Sequence, residues 1–571
     1  MRLALMAVLT ALALGGGAAP ERFEAILRNG TIVDGSGLLP YRADVAIAEG
    51  RIARIGNLSR AVADVDLDVA SFYVTPGFIN IHSHPQPAAL ARAENMLTQG
   101  VTTEILNADG SGPVDLPAQF ARLGSGGLAL NVGGYIGFNT VWSTVVGQSE
   151  RRPTGPEIEQ MRAMISAAMK NGAWGVSAGL DYKPVYFAQT AEVVAVVSSA
   201  SPWRTNFNNH DRVTPETKFS SAAGIAETLQ IAEGAGLLGV VTHMKVTGRE
   251  QGSAADILAR LTGAESRGHY AAADAYPYLA GMTGLGALII PPWAQDGGRE
   301  ANPAAILRFG VEGDLRQILQ HPGTSIACDC GATTATATHP RNYGSFPRVL
   351  GRYVREEKVL TWQEAVRKMT ALPAATVGMV DRGYLALGMA ADVTVFAPGS
   401  VIDHATYENP SALSDGIRHV FVNGVFALRD GKVTGAQGGR VLSRATGMPS
   451  RAMTLNAERR VQVTSDSAGF RIRLGVWQRP GARQARGTFN VDLPNGGGTM
   501  TATEFGVLQV AREWASFTAQ AKMKPEGVVR PITVIIDRAD PLAASGGAAL
   551  IIDVEGARAY RAAIPPASAQ G

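Results

Sequence analysis

Val74-Thr-Pro-Gly-Phe-Ile-Asn-Ile-His-Ser-His-Pro85 is the stretch on which the reading of this chain turns. An apolar run of strand-like composition breaks at its carboxyl end into His-x-His. Side chains alternate faces along a strand, so residues two apart point the same way. His82 and His84 are therefore expected to converge on one point just past the strand. A divalent metal is the usual reason to bring two imidazoles together.

Working outward, metal-capable residues recur at later strand-like ends. Asp109 closes Thr102-Thr-Glu-Ile-Leu-Asn-Ala-Asp109, and His210 closes Asn206-Phe-Asn-Asn-His210. His243 follows Val240-Val-Thr, and Asp329 lies in Cys328-Asp-Cys330. Four imidazoles and two carboxylates suit one or two zinc-like ions. From residue 76 to about 376, strand-like and helix-like runs alternate. Candidate strands end near His84, Asp109, Gly137, Leu180, His210, Lys245, Tyr278 and Cys330. Helices are expected at 156–171, 218–235 and 253–267, where apolar residues recur at three-to-four spacing. Eight strands in such alternation predict an α/β chain with a (β/α)8 TIM-type barrel over 76–384, its site at the carboxyl-terminal mouth. An open doubly wound sheet lacks the Gly-rich phosphate loop after its first strand.

The flanks read differently. Residues 22–75 are short strands separated by Gly and Asp turns. Strands return within 385–440, and the two segments are expected to build one small β-sandwich. Residues 441–455 read as a linker, and 456–571 as a separate C-terminal β-rich domain. A chain of 571 residues exceeds one ordinary domain. Its 46% hydrophobic and 18% charged content suits folded units with large cores. The net charge of +3, spread without basic runs, argues against a nucleic-acid partner. Arg2, the apolar Leu3–Leu14 and the small residues before Ala19 read as an export signal over 1–19. A periplasmic or secreted protein without a membrane span is expected.

Two cysteines flank Asp329 in a strand-like run. A bridge between positions two apart on a strand would be badly strained, so buried free thiols are expected. His269, His321, His404 and His419 read as structural or surface residues, and His339 is undecided.

With these residues in view, the chain resembles the amidohydrolase superfamily, and within it the D-aminoacylase (N-acyl-D-amino-acid deacylase) family. The matching stretches are Pro76–His84, Gly100-Val-Thr-Thr-Glu104, Gly179-Leu-Asp-Tyr-Lys-Pro184, His243-Met-Lys245 and Asp274-Ala-Tyr-Pro-Tyr278. They continue with His339-Pro-Arg-Asn-Tyr-Gly-Ser-Phe-Pro-Arg348, Ala365–Thr370 and Ala390–Phe396, and together span about 23–440. The resemblance implies a metal-dependent hydrolysis of the amide of N-acyl amino acids, D-configured by preference. His210 and His243 would hold one tight Zn²⁺. His82, His84 and Asp329 would surround a second, weaker position. Asp329 would be general base and acid toward a metal-activated water, and Lys245, Tyr276 and Arg341 would contact the substrate carboxylate. The partner is thus a small acylated amino acid.

Three departures from the family pattern stand out. Asp109 occupies a position commonly held by a thiolate, giving an oxygen-only ligand. Met282 replaces a common serine, and a Gly-His-x-x-x-Arg signature reads Gly137-Phe138 and ends at Trp142. These apolar replacements suggest a more apolar pocket. A cyclic-amide hydrolase of the hydantoinase or dihydroorotase type is the alternative. It would bridge two metals with a carbamylated lysine, for which the Lys183-Pro184 context is poor. A non-catalytic binding protein is disfavoured by the complete ligand set.

Overall fold

Period-two apolar patterning builds the first sheet. The computed structural model describes residues 20–38, 40–284, 304–444 and, with short breaks, 459–570. The expected export signal and most of the expected linker lie outside the described residues. β1 (Arg22–Ile32), β2 (Tyr41–Ala48) and β3 (Arg51–Gly56) form an antiparallel meander. β4 (Val62–Asp68) and β5 (Tyr73–Pro76) run parallel to β1. Ala25, Leu27, Val45 and Ile47 enter one apolar cluster, while Ile26 and Ala46, on the other face, enter a second.

Pro76-Gly77 then leads the chain into parallel strands. β6 (Phe78–Asn80), β7 (Val101–Leu106) and β8 (Asn131–Gly134) form one three-stranded parallel sheet. β9 (Ile136–Gly137), β10 (Val176–Gly179), β11 (Asn206–His210), β12 (Leu238–Val241) and β13 (Ala271–Ala275) follow. β14 (Ala280–Gly284) and β15 (Ala304–Arg308) pair as a separate antiparallel ribbon. β16 (Thr324–Ile326) joins β13, completing a six-stranded parallel sheet in the order β16-β13-β12-β11-β10-β9. Only Tyr135 separates β8 from β9, and a parallel bridge between Ser83 and Cys330 links the end of β6 to the end of β16. These strands are buried along nearly their whole length, as strands covered on both faces must be.

The intervening helices fall close to their expected places. Gly155–Lys170 opens with a reciprocal Thr154–Glu157 capping box and buries Met161, Ile165, Ala168 and Met169 at helical spacing. The second expected helix begins at Ser221 instead of 218. Lys218 and Phe219 take left-handed backbone, and Ser220 caps the helix by accepting the Ala223 N–H. The third spans Ala254–Ser266.

β17 (Val393–Phe396) returns antiparallel to β5, and β18 (Ile417–Val422), β19 (Val425–Arg429) and β20 (Lys432–Val433) extend the first sheet to nine strands. In its hydrogen bonding the expected small sandwich is therefore one continuous sheet. The C-terminal strands are β21 (Arg459–Ser467), β22 (Phe470–Gln478), β23 (Arg486–Asp492), β24 (Thr499–Phe505), β25 (Gln509–Val510), β26 (Trp514–Lys524), β27 (Val529–Asp537), β28 (Ala548–Val554), β29 (Ala557–Ile564) and β30 (Ala569–Gln570). They form a ten-stranded antiparallel, barrel-like sheet. Phe470, Ile472, Leu474 and Val476 of β22 point into its apolar core while Arg471 and Arg473 point out. β28 and β29 lie against β3.

Candidate metal centre and active site

The side chains expected to bind metal come together at the carboxyl ends of the parallel strands. His82 and His84 lie two and four residues beyond β6, Asp109 three beyond β7, and His243 two beyond β12. His210 ends β11, and Asp329 lies three beyond β16. Most ligands thus sit on the first residues of loops and not on the strands themselves. Asp109, His243 and Asp329 take left-handed backbone, with φ of 54°, 33° and 48°. Non-glycine residues pay of order 1 kcal/mol or more for that conformation, and such residues cluster at functional sites.

Two ligand groups result, His82/His84/Asp109/Asp329 and Asp109/His210/His243, each with donor atoms within 4.8 Å of one another. Asp109 belongs to both. His82 Nε2 is 3.4 Å from both Asp109 Oδ1 and Asp329 Oδ1. His84 Nε2 is 3.3 Å from Asp109 Oδ2 and 3.5 Å from Asp329 Oδ1. His210 Nδ1 approaches His243 Nε2 to 2.7 Å and Asp109 Oδ1 to 3.7 Å. Buried His82 makes no hydrogen bond at either ring nitrogen, and His243 none at Nδ1. Buried polar atoms left this way, facing one another across a few ångströms, fit a divalent cation. The electrostatics agree. Burial opposes ionisation of Asp109, yet His82 and His210 hold its carboxyl well below the usual range. Burial likewise opposes ionisation of Asp329, and Arg341 and His82 overcome it. Both shifts favour the charged carboxylates that a metal site would require.

Two carboxylates that carried no role in the sequence reading orient these ligands. His210 Nε2 lies 3.1 Å from Asp181 Oδ2, so an Nε2–H donated there leaves the Nδ1 lone pair facing the cluster. The Tyr182 hydroxyl is 3.1 Å from the same nitrogen. Asp274 Oδ1 accepts the His243 backbone N–H at 2.7 Å and stands 3.6 Å from His82 Nδ1. Both residues lie in stretches that matched the family pattern. Their partners are distant in sequence, so spacing alone gave no sign of the contacts.

The expected substrate-contact residues also assemble. Arg341 opens the helix Arg341–Arg348, is 4% exposed, and donates from Nη1 to Asp329 Oδ2 at 2.6 Å. Its guanidinium carbon lies 5.1 Å from the Tyr276 ring centroid. Lys245 Nζ is 6.0 Å from the same centroid and 4.8 Å from that of Phe309. Buried Arg341 Nε and the Tyr276 hydroxyl meet no hydrogen-bond geometry within the protein. His339, undecided in sequence, accepts the Arg341 backbone N–H at Nδ1 (3.0 Å) and donates from Nε2 to the Ala280 carbonyl (2.9 Å).

Two expectations need correction. Cys328 and Cys330 form a disulfide and are not free thiols. The premise that they sit on a strand fails, because β16 ends at Ile326 and Asp329 turns left-handed between them. Phe138 and Trp142 do not line a pocket. Both are fully buried in a core cluster with Ile136, Val141, Met161 and Ile165. Met282 is half-buried on β14.

Histidines and carboxylates at parallel strand ends, beside a buried arginine, define a metal-dependent amidohydrolase, a hydrolase of amide bonds. The comparisons are specific. The amidohydrolase family profile matches residues 311–427. A D-aminoacylase of Alcaligenes xylosoxydans xylosoxydans is 33% identical over 480 residues, covering 74% of this chain and 98% of that protein. An N-acyl-D-glutamate deacylase from Bordetella bronchiseptica, solved with zinc and a phosphonate mimic of the tetrahedral intermediate, is 31% identical. It superposes with a TM-score of 0.66 over 74% of this chain and all of its own. The chain belongs to the D-aminoacylase family of amidohydrolases. A D-hydantoinase structure, 17% identical with a TM-score of 0.52 over 74% of this chain and 99% of its own, shares the fold alone.

Proposed function

We propose that this enzyme hydrolyses the amide of N-acyl amino acids, with the D configuration preferred, in an exported, Zn²⁺-dependent reaction. The observation that carries the reading is Arg341. A buried guanidinium with an unsatisfied Nε, stacked on Tyr276 and within reach of Lys245, is a built receptor for a carboxylate. It stands beside Asp329, the carboxylate best placed to move a proton. The eight parallel strands, with β8 and β9 as one interrupted strand and the Ser83–Cys330 bridge as the seam, are read as a (β/α)8 barrel.

His210, His243 and Asp109 would hold the tighter ion, and His82, His84 and Asp329 the weaker. When bound, the ion supplies Lewis acidity to the scissile carbonyl and to water. Asp329 Oδ1, on the histidine side, accepts the proton of the attacking water and returns it to the leaving amine. Oδ2 is held by Arg341. A substrate carboxylate competes for that guanidinium, coupling occupancy of the receptor to release of the base. Tyr276 and Lys245 orient the same carboxylate.

Turnover of paired N-acyl-D- and N-acyl-L-amino acids tests the reading directly. Arg341→Ala should raise KM for free-carboxylate substrates far more than for their amides, and equal losses on both would remove the receptor role. Exhaustive removal of metal should abolish turnover, with Zn²⁺ restoring it. Full activity of metal-free protein would reject the mechanism.

A further inference from the structure

Asp329 is bracketed by a disulfide. Cys328 and Cys330, the only cysteines of the chain, are bonded to each other across it. The bridge closes a small ring through the Asp329 backbone, whose φ of 48° lies in the left-handed region, at an energetic cost relative to ordinary backbone. The sulfurs turn away from the metal centre. Cys328 Sγ accepts the Asn80 amide at 3.1 Å, and Cys330 Sγ lies 4.0 Å from Met96 Sδ in the core. The Asp329 carboxylate points the other way, to His82, His84 and Arg341.

The ring is also tied to the loop that carries the first two histidines. The Cys330 carbonyl accepts the His84 N–H at 2.8 Å and the Ser83 hydroxyl at 3.1 Å. The Cys328 N–H donates to Asn80 Oδ1 at 3.1 Å. Gly331 packs so closely on this loop that a Cβ there would meet Pro85 N at 2.5 Å. The ring therefore has a fixed wall on one side and the core on the other. Its one free outlet is the aspartate side chain.

We infer that the Cys328–Cys330 bridge is a positioning device for Asp329, holding its carboxylate in register with the histidines, so that full turnover requires the oxidised enzyme. The inference rests on the proton-transfer role proposed for Asp329. Formation needs a disulfide oxidant, small-molecule or protein. One cysteine thiolate attacks it, the second displaces it, and the oxidant leaves as two thiols with the two electrons and two protons of the cysteines. Without the bridge the aspartate can relax toward ordinary backbone angles. A displacement of about 1 Å at a reacting group costs on the order of 100-fold in rate.

Thiols are first counted in the full-length metal-loaded enzyme, unfolded without reductant. None is expected, and two per chain would overturn the inference. The Cys328→Ser/Cys330→Ser enzyme should then lose about 10–100-fold in kcat, with KM and bound Zn²⁺ little changed. Unchanged kcat would also overturn it. In parallel, wild-type enzyme is treated with a phosphine, which takes up a water oxygen and leaves two cysteine thiols. Activity should fall as thiols appear and return on reoxidation, at constant Zn²⁺ content. Activity retained while both thiols titrate would overturn the inference even if the double variant does not fold. Asp329→Asn separates the two levels. If it is inactive while the unbridged enzyme is fully active, only the positioning inference fails. If it is active, the proton-transfer reading fails first.

Discussion

Asp181 shows how far one carboxylate outside the ligand set reaches. Burial works against a charged His210 ring, but Asp181 and Asp109 outweigh it and raise the ring to about 10, so a metal ion binding at Nδ1 must displace a proton from it. The ring is held between carboxylates, with one nitrogen turned to the metal cluster. Partners of this kind typically contribute 10–100-fold to metal affinity. Asp181→Asn should weaken Zn²⁺ binding by about that factor in a chelator competition, a readout independent of turnover. Affinity equal to wild type would make Asp181 a bystander. His339 lends itself to a pH test. Burial, followed by the charge of Arg341, pushes it down to about 3. A folded value below the unfolded ~6.5 means stability present above pH 6.5 and lost as pH falls toward 3. A proton on Nδ1 would also displace the Arg341 N–H it accepts. His339→Gln should be destabilised at pH 7. The gap to wild type should narrow by up to about 2–3 kcal/mol by pH 4.5 in urea unfolding. A gap that does not change with pH would show that His339 titrates alike in the folded and unfolded states.

Among the elements, one polar knot joins the nine-stranded sheet to the parallel strands. Asp392, just before β17, accepts Asn131 Nδ2 at 2.9 Å, Arg382 Nε at 3.0 Å and the Asn423 N–H at 2.7 Å. Asn423 in turn donates to Asn131 Oδ1 at 2.6 Å, so β8 and the end of β18 are held by one carboxylate. Arg382 and Asp392 are both buried, at 5% and 4% exposure. Removing one partner of such a pair strands a charge in the interior, at a cost of about 3–5 kcal/mol. Asp392→Ala should therefore lower the melting temperature strongly although it lies outside the metal centre. Asp392→Asn, which keeps the shape and one acceptor, should recover part of the loss. Equal stability of both variants and wild type would mean the knot contributes nothing.

On the scale of the whole molecule, the catalytic unit and the C-terminal sheet have separate cores. The C-terminal core draws only on residues from Val461 onward. The D-aminoacylase relative is matched over 98% of its own length by 74% of this chain. A protein ending at residue 444 is accordingly expected to bind Zn²⁺ and keep most of its turnover. Its stability should fall, because β28 and β29 no longer cover β3. Loss of metal binding on truncation would show that the C-terminal sheet is part of the catalytic unit. Among the described residues no helix is long and apolar enough to cross a membrane.

The residues themselves already pointed to the candidate ligand set that the structure brings together. His82, His84, Asp109, His210, His243 and Asp329 are legible because parallel strands bring their carboxyl ends to one rim, and strand patterns can be read locally. The helices over 155–170, 221–235 and 254–266 were legible for the same reason, since apolar spacing records which face is buried. Only the tertiary structure decided the rest. Period-two reading presumed a strand through Cys328–Cys330, but the chain leaves β16 at Ile326, and its left-handed turn at Asp329 brings the two sulfurs together. Phe138 and Trp142 are apolar in a core or in a pocket alike, and only packing against Met161 and Ile165 shows which. Asp181 with His210 and Asp274 with His82 and His243 meet across separate strands. Periodicity encodes the burial of a residue's own face. The backbone handedness of a loop, and the partner that a loop carries to it, are set by long-range closure of the fold.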